Sequence, residues 1–235
     1  MLLPSMRDLS ARDAERRLGL MIEYDRIREA PLSHLDYFTE WGGHTWTRMV
    51  KTGLTEYLGG NLRDLRVLEI GARYGRMSCM FGLLGARVVG IDIHARYIEA
   101  AREEARKLGV TSRVEFVLSG GDLRDLPSQS CDLVFSKSVL VLLPDLEGTL
   151  SELDRLLDGG GRVVFIENGL GGRLSQFVRR MKHRGRWDYS QVNYFTPEHI
   201  RTVQSVFEIE RLARSHFPPI YLICGRKREC SGASR

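Results

Sequence analysis

The sequence has few residues that could stabilise or anchor the chain by means other than a hydrophobic core. Of its 235 residues, 4 are cysteine and 7 are proline. No stretch approaches the roughly 18 uninterrupted apolar residues of a membrane span. Residues 1–17 mix acids with arginines and lack the apolar core of a secretory signal. We therefore expect a globular cytoplasmic protein with no membrane partner.

The cysteines lack the spacing of a zinc site. Cys79, Cys131 and Cys224 sit in apolar runs, and Cys230 lies near the end of the sequence. Because no two of them form a metal-ligand pair, we interpret them as reduced thiols. A chain of this length buries roughly 70% of its unfolded surface, so it needs neither disulfides nor metals to fold.

The positive charge is concentrated in one segment. The 35 lysines and arginines and the 30 acidic residues leave a net charge of +5. The segment from Arg173 to Arg186 holds six basic residues and no acid. A nucleic-acid-binding surface spreads its charge more widely. The segment therefore indicates either a solvated helix or a local site for an anion.

From residue 66 onward, short apolar runs alternate with helical periodicity, which is typical of a parallel sheet covered on both faces. The predicted strands are Val67–Ile70, Arg87–Ile91, Val114–Leu118, Asp132–Ser136, Arg162–Ile166, Phe207–Leu212 and Ile220–Gly225. The predicted helices are Gly75–Leu84, Ala95–Leu108, Glu147–Leu157 (closed by Gly159–Gly161) and Pro197–Ser205. Too few residues join the last two strands for a crossover helix, so these strands are predicted to be antiparallel neighbours.

The N-terminal residues predict helices that precede the sheet. A charged amphipathic helix over Ser10–Glu29 ends before Pro31, and Ser33–Leu58 holds two helical pieces split at Gly42–Gly43. The predicted units are an N-terminal helical cap (1–60), a sheet domain (61–226) with a substrate-covering insertion (168–196), and a flexible tail (227–235).

A glycine-rich turn follows the first strand, in the sequence Glu69-Ile-Gly71-Ala-Arg73-Tyr-Gly75. Gly71 and Gly75 permit a tight turn and the close approach of a ligand. Glu69 ends an otherwise apolar strand. A buried unpaired carboxylate costs several kcal/mol, so we expect Glu69 to have a cationic or hydrogen-bonding partner. A dinucleotide fingerprint needs glycines where Arg73 and Arg76 stand, which disfavours dinucleotide binding.

Further polar residues follow the next strands. Asp92 ends the second strand about 20 residues beyond the glycine turn, where an acid hydrogen-bonds a ribose. Asp122 follows the third strand, and the fourth strand ends at Ser136 before Lys137. Ligands of an open parallel sheet bind beyond the carboxyl ends of its strands. We therefore expect these residues to line one site.

This ordered set resembles the class I S-adenosylmethionine-dependent methyltransferases, in particular their small "methyltransferase domain" branch. The resemblance covers about Val67 to Ile166, and the two predicted antiparallel strands from Phe207 to Gly225 also fit it. It implies an α/β, Rossmann-like sheet of seven strands, mostly parallel with an antiparallel last strand, with helices on both faces and an N-terminal helical cap. It also implies that S-adenosyl-L-methionine is the cofactor, bound by Glu69, Gly71, Ala72, Arg73, Gly75, Asp92, Ile93, Asp122, Leu123, Ser136 and Trp41.

The resemblance assigns a role to several of these residues. Asp92 is expected to hold the ribose hydroxyls, and Asp122 with the backbone of Leu123 the adenine. Ser136 is expected to lie near the transferable methyl group. Arg73 replaces a glycine of the pattern, and a left-handed backbone there costs roughly 1–2 kcal/mol. We hypothesise that the Arg73 side chain reaches the methionine carboxylate of the cofactor.

The catalytic residue is not identified by the sequence. The histidine that this branch often carries after the fourth strand is replaced by Val141 and Leu142. The remaining candidates are Lys137, Glu167 and His183. Glu167-Asn168 supplies half of the magnesium site of catechol-type enzymes, but a charged lysine cannot ligate a hard cation. We expect no metal, with Lys137 either replacing its charge or pairing with Glu167.

The expected function is methyl transfer to an oxygen or nitrogen of a small molecule, which can carry an anionic group or be linked to a carrier. The proposed substrate residues are Tyr37, Asn168, Arg180, Trp187 and Tyr194. The aromatic residues Tyr37, Trp41 and Trp46 belong either to the core or to a lid.

Two alternatives stay open. One is an RNA methyltransferase, because aromatic residues near the basic segment can stack bases, namely Trp187, Tyr189, Tyr194 and Phe195. Against it, the residues after the fourth strand match neither [N/D]-P-P-[Y/F] nor Pro-Cys, so nucleic acid is disfavoured as a partner. The other is a cofactor-binding protein without catalysis. The sequence does not predict the oligomeric state.

Overall fold

The computed structural model describes residues 20–21, 23–39, 43–119, 122–171 and 194–229. The strands are β1 (Arg66–Ile70), β2 (Arg87–Asp92), β3 (Val114–Leu118), β4 (Cys131–Lys137), β5 (Leu157–Asn168), β6 (Phe207–Arg214) and β7 (Ile220–Lys227). The helices are α1 (23–29), α2 (Leu35–Thr39), α3 (Gly43–Lys51), α4 (Arg76–Leu83), α5 (Ala95–Leu108), α6 (Leu146–Leu156) and α7 (Pro197–Val206).

The seven strands form one sheet in the order β3-β2-β1-β4-β5-β7-β6. Strand β7 runs antiparallel to both of its neighbours, and the other six strands are parallel to one another. The prediction of six parallel strands and one reversed strand is confirmed. The strand order changes direction between β1 and β4, and such a point opens a crevice at the carboxyl ends of the strands.

Helices cover both faces of the sheet, as predicted. Buried side chains of α2 to α5, such as Phe38 and Phe81, form one core with the first face. The α6 and α7 side chains, such as Leu150 and Val203, form the other core. Local signals set the helix ends: the Asp145 side chain accepts a hydrogen bond from Gly148 N at the start of α6, and Gly109 is left-handed at the end of α5.

The N-terminal residues contribute to the core of the domain. Trp46, Val50 and Leu54 are buried on α3 and the π-helical turn Thr52–Tyr57 that continues it. A Cβ placed on Gly53 would lie 3.1 Å from Val164 of β5, so this turn packs directly on the sheet. The segment therefore forms part of the helical layer on one face of the sheet. The predicted domain boundaries stay predictions.

Strand β5 departs from the prediction at its start. It begins directly after α6, and Gly159–Gly161 lie inside it instead of closing the helix as a loop. Cys131 pairs with Leu157 while Leu133 pairs with Arg162, so the glycines form an irregularity within the strand. Left-handed backbone at Gly160 permits this bend. Within the described ranges, no helix has the length and apolar character needed to cross a membrane.

Candidate functional site

The glycine turn after β1 is held against the end of β2. The backbone N–H groups of Gly71 and Ala72 both donate to the carbonyl oxygen of Ile91, at 2.9 Å each. Gly71 and Gly75 have left-handed backbone, with φ of +75° and +73°. A Cβ at Gly71 would overlap the Val139 side chain, and one at Gly75 would lie 2.5 Å from Phe116 Cζ. Both positions therefore require glycine, because the backbone is left-handed and neighbouring side chains occupy the space of a Cβ.

Arg73 adopts the left-handed conformation that the sequence analysis considered, with φ of +51°. Its guanidinium carbon lies 5.1 Å from the ring centre of Tyr74 and 5.5 Å from that of Tyr97. A hydrogen bond from Arg73 lowers the pKa of the Tyr97 hydroxyl. These aromatic contacts help to offset the backbone strain. Whether the side chain reaches the methionine carboxylate stays a prediction.

Asp92 connects the two loops that end β1 and β2. Its carboxylate is 8% exposed and accepts hydrogen bonds from the backbone N–H of Arg73 at 3.0 Å and of His94 at 2.9 Å. An ionised carboxylate has about four acceptor positions, so roughly two remain for a ligand. Ile93, which follows Asp92 in the loop after β2, is exposed and offers an apolar surface there. The structural role of Asp92 was not predicted from the sequence.

Glu69 has the hydrogen-bonding partner that the sequence analysis expected. The buried hydroxyl of Ser78, on α4, donates to Glu69 Oε2. This contact ties the end of β1 to the helix that follows the glycine turn. No sequence pattern signals Ser78 as this partner, because it lies nine residues from Glu69 within an apolar helix.

Asp122 and Leu123 lie in the connection between β3 and β4. The Asp122 carboxylate is exposed and forms a two-pronged contact with the Arg124 guanidinium, which lowers its pKa to about 2. Leu123 is buried, and its carbonyl oxygen accepts a hydrogen bond from Arg155 of α6 at 3.0 Å. The loop is therefore anchored to α6, and the assignment of adenine to it stays a prediction.

Ser136 and Glu167 meet at the carboxyl ends of β4 and β5. The Ser136 hydroxyl lies 3.5 Å from Glu167 Oε1, which also accepts from the backbone N–H of Val139 at 3.2 Å and of Leu140 at 3.1 Å. Glu167 is completely buried, and burial raises the pKa of its carboxyl to about 7. The site thus holds a carboxyl group that can gain or lose a proton near neutral pH.

Lys137 does not pair with Glu167, so that alternative is wrong. Its ammonium donates to the carbonyl oxygen of Thr39 at 3.1 Å and lies 5.4 Å from the ring centre of Trp46. Ser136 and Lys137 are consecutive on a strand, so their side chains point to opposite faces. The sheet therefore separates Lys137 from Glu167. Whether Lys137 replaces the charge of a metal stays a prediction.

Tyr37 packs against α4 and α5. Its hydroxyl donates to the buried Glu104, and both its burial and this contact raise the pKa of the phenol. The Arg76 guanidinium carbon lies 4.5 Å from the centre of its ring. These contacts pack the half-buried Tyr37 against the core, and Trp46 is buried within that core. The hydroxyl assigned to substrate is thus already engaged with a carboxylate.

Asn168 supports the turn after β4. Its side-chain amide donates to the hydroxyl of Ser138. Its main-chain carbonyl oxygen accepts from Phe195 N at 2.7 Å. Tyr194 precedes Phe195 and is half-buried. Among the described residues, no group of three His, Cys, Asp or Glu side chains could hold a metal. The predicted site residues that lie outside the described part of the chain are Trp41, Arg180, His183 and Trp187.

Residues 68–165 match the family model described as a methyltransferase domain. The fold and this match make residues 68–165 similar to the class I, S-adenosylmethionine-dependent methyltransferases, as the motifs indicated. Two solved structures share the fold at 16% identity. A SAM-dependent methyltransferase from Aquifex aeolicus has a TM-score of 0.59, and the alignment covers 84% of this chain and 98% of that one. Geranyl diphosphate C-methyltransferase from Streptomyces coelicolor A3(2), in complex with S-adenosyl-L-homocysteine, has a TM-score of 0.63 over 79% and 80% of the two chains.

Curated relatives are similar over part of their length. An aklanonic acid methyltransferase from Streptomyces sp. (strain C5) is 37% identical over 106 residues, which are 43% of this chain and 46% of the relative. A malonyl-[acyl-carrier protein] O-methyltransferase from Yersinia pestis is 30% identical over 151 residues, or 62% of this chain and 51% of the relative. The chain thus spans about half the length of these relatives.

Proposed function

We propose that the protein transfers a methyl group from S-adenosyl-L-methionine to an oxygen or nitrogen of a small molecule. The observation that carries this proposal is the Asp92 carboxylate. It joins the left-handed loop after β1 to the end of β2 and keeps free acceptor positions at the switch point of the sheet. The methyltransferase-domain match over 68–165 supports the same conclusion.

The residues present fit this cofactor. The glycine turn packs on Val139 and Phe116 so closely that a Cβ at Gly71 or Gly75 would collide with them, which holds the turn in place beside the acceptor positions of Asp92. In the proposal, the turn from Glu69 to Gly75 holds the methionine end and Asp92 the ribose. Ile93, Asp122 and the Leu123 backbone receive the adenine, and Ser136 lies near the methyl group.

Methyl transfer requires the protein mainly to align the methyl donor with the acceptor. A sulfonium-bound methyl carbon is already electrophilic, so the cofactor supplies the reactive group when it is bound. The chain has to orient the acceptor in line with that carbon and exclude water. A base is needed only where the acceptor is a hydroxyl or a protonated amine. Glu167 and Lys137 stay candidates for that role, together with His183.

An acidic or carrier-linked acceptor is the favoured substrate class. The two curated relatives are named for an acid and for a malonyl group on a carrier protein. This agrees with the basic segment Arg173–Arg186, in which Arg180 was assigned to the substrate. Asn168 and Tyr194 are described residues that precede and follow that segment in the sequence. We place the protein in the cytoplasm, because Cys79, Cys131 and Cys224 are buried free thiols.

Two measurements test the proposal. Isothermal titration of the full chain with S-adenosylmethionine should show saturable binding, and its absence would overturn the assignment of the cofactor. Methyl-labelled cofactor is then incubated with the protein and cell extract, with and without RNase. Label in RNase-resistant small molecules supports the proposal. Label that RNase removes favours the RNA alternative, and binding without any transfer favours a non-catalytic protein.

A further inference from the structure

The burial of the Glu167 carboxyl group is unfavourable in free energy. Its side chain is completely buried, and its Oε2 is the one buried side-chain nitrogen or oxygen, among the described residues, that has no hydrogen-bond partner. Burying an incompletely satisfied carboxyl group is unfavourable. The position of the carboxyl group therefore points to a function.

The contacts of Glu167 belong to a set that fixes one turn. Three consecutive residues of β5 hold three consecutive residues after β4. The carbonyl oxygen of Ile166 accepts from Ser138 N at 2.8 Å, and Glu167 Oε1 accepts from the N–H groups of Val139 and Leu140. The Asn168 amide donates to the Ser138 hydroxyl. Ser138 has left-handed backbone, with φ of +63°, so the turn is a strained one that these bonds stabilise.

The turn after β4 packs against the glycine loop that follows β1. The side chain of Val139 lies against Gly71 so closely that no Cβ fits at position 71. The chain of contacts therefore runs from the Glu167 carboxyl group to the backbone of the turn. From there it passes through the Val139 side chain to the loop that begins the candidate cofactor site.

We propose that Glu167 is a positioning residue for the methyl-donor site, which acts through Val139 on the loop from Gly71 to Gly75. This inference rests on the proposed function and adds Val139 to it. In this role Glu167 needs an acceptor oxygen and not a negative charge, because what it supplies is two backbone hydrogen bonds. A group that took a proton from the acceptor molecule would need the carboxylate itself.

Substitution at Glu167 separates these requirements. Glu167→Gln keeps an acceptor oxygen, whereas Glu167→Leu leaves two buried N–H groups unpaired. Glu99→Leu removes an exposed carboxylate of α5 and is the control. In isothermal titration of the full chain with S-adenosylmethionine, we expect the leucine variant to bind at least about tenfold more weakly than the parent chain. The glutamine variant should stay within about threefold of it, and the control should be unchanged.

Equal losses in the glutamine and leucine variants would overturn the positioning role, and so would a folded leucine variant with unchanged affinity. If the parent chain itself does not bind the cofactor, the proposed function fails and this inference fails with it. Binding by the parent chain and by all variants alike overturns the inference alone.

A second arm does not depend on the folding of the leucine variant. Gly71→Ala should weaken cofactor binding, because its methyl group meets Val139. Val139→Ala in the same chain should recover part of that loss, since it removes the opposing methyl groups. Val117→Ala, which trims a half-buried valine of β3, is the matched control and should recover nothing. Strictly additive effects of Gly71→Ala and Val139→Ala would show that Val139 does not act on the loop.

Discussion

Lys137, the last residue of β4, donates a hydrogen bond of 3.1 Å to the carbonyl oxygen of Thr39, the last residue of α2. Arg76, the first residue of α4, donates at the same distance to the carbonyl oxygen of Tyr37. Two cations next to the candidate site therefore hold the C-terminal carbonyl groups of one short helix, where cations are stabilising. The N-terminal helices are thus attached to this edge of the sheet by polar contacts as well as by their core.

The Lys137 contact predicts that its loss loosens α2. In Lys137→Leu, the Thr39 carbonyl loses its charged donor and Trp46 loses the cation over its ring. We expect α2 and α3 amides to exchange hydrogen faster, by an opening free energy that is lower by about 1 kcal/mol. Lys51→Leu, which changes an exposed lysine of α3, is the control. Unchanged exchange in Lys137→Leu would show that the helices are held by apolar packing alone.

Asp92 should prove to be both a cofactor ligand and a structural residue. Asp92→Ala leaves the N–H groups of Arg73 and His94 without their acceptor and removes the proposed ribose contact. We expect S-adenosylmethionine affinity to fall by roughly 1.5–3 kcal/mol in calorimetry and the free energy of unfolding to fall by about 1–3 kcal/mol. Asp125→Ala, at an exposed loop carboxylate, should change neither. A loss of stability with full cofactor affinity would remove the ribose from the assignment.

Arg73→Gly should affect binding more than stability. Glycine relieves the left-handed strain at φ of +51° but loses the guanidinium contacts with Tyr74 and Tyr97, so we expect the free energy of unfolding to change by less than about 1 kcal/mol in urea. If the guanidinium reaches the methionine carboxylate, the same variant binds S-adenosylmethionine more weakly. A glycine variant that binds as tightly as the parent chain would contradict that contact. The guanidinium would then serve only to pack on Tyr74 and Tyr97.

The sheet and the position of the site were predictable because they depend on local sequence patterns. The bounds of α5 and β3 match their predictions, since periodicity and the glycine after α5 define them. The positions of Asp92 and the glycines in the site were predictable from their distance along the sequence to the first strand. The partners of Tyr37 and Lys137 lie 67 and 98 residues away. No pattern within a window of the sequence signals contacts that form only when the sheet is assembled.

The start of strand β5 and the burial of Glu167 likewise depend on tertiary contacts, which local sequence patterns do not predict. Three glycines in a row predicted a loop, but pairing with β4 outweighs their local preference and keeps them in the strand. The sequence placed Glu167 at the end of a strand and among the catalytic candidates. It did not indicate that the carboxyl group is fully buried against the turn after β4, because burial depends on how α6, α7 and β7 close over that face.

Glu167 also predicts how stability depends on pH. Burial raises the pKa of its carboxyl group from an ordinary value of 4.5 to about 7 in the folded chain. The folded state therefore holds a proton that the unfolded state releases, so the contribution of Glu167 is fully present below pH 4.5 and is lost as pH rises through 7. A shift of this size corresponds to roughly 3 kcal/mol at most.

Glu167→Gln cannot ionise, so it should lack this loss. We expect the free energy of unfolding of the variant, relative to the parent chain, to increase between pH 5 and pH 8 by up to roughly 3 kcal/mol. Urea unfolding of both proteins at the two pH values measures the difference, and Glu99→Gln is the control at an exposed site. Every other titrating side chain is common to both proteins, so the difference isolates Glu167. An equal difference at both pH values would mean that Glu167 keeps an ordinary pKa in the folded chain, because a charged Glu167 that the fold tolerates at pH 8 leaves nothing for glutamine to relieve.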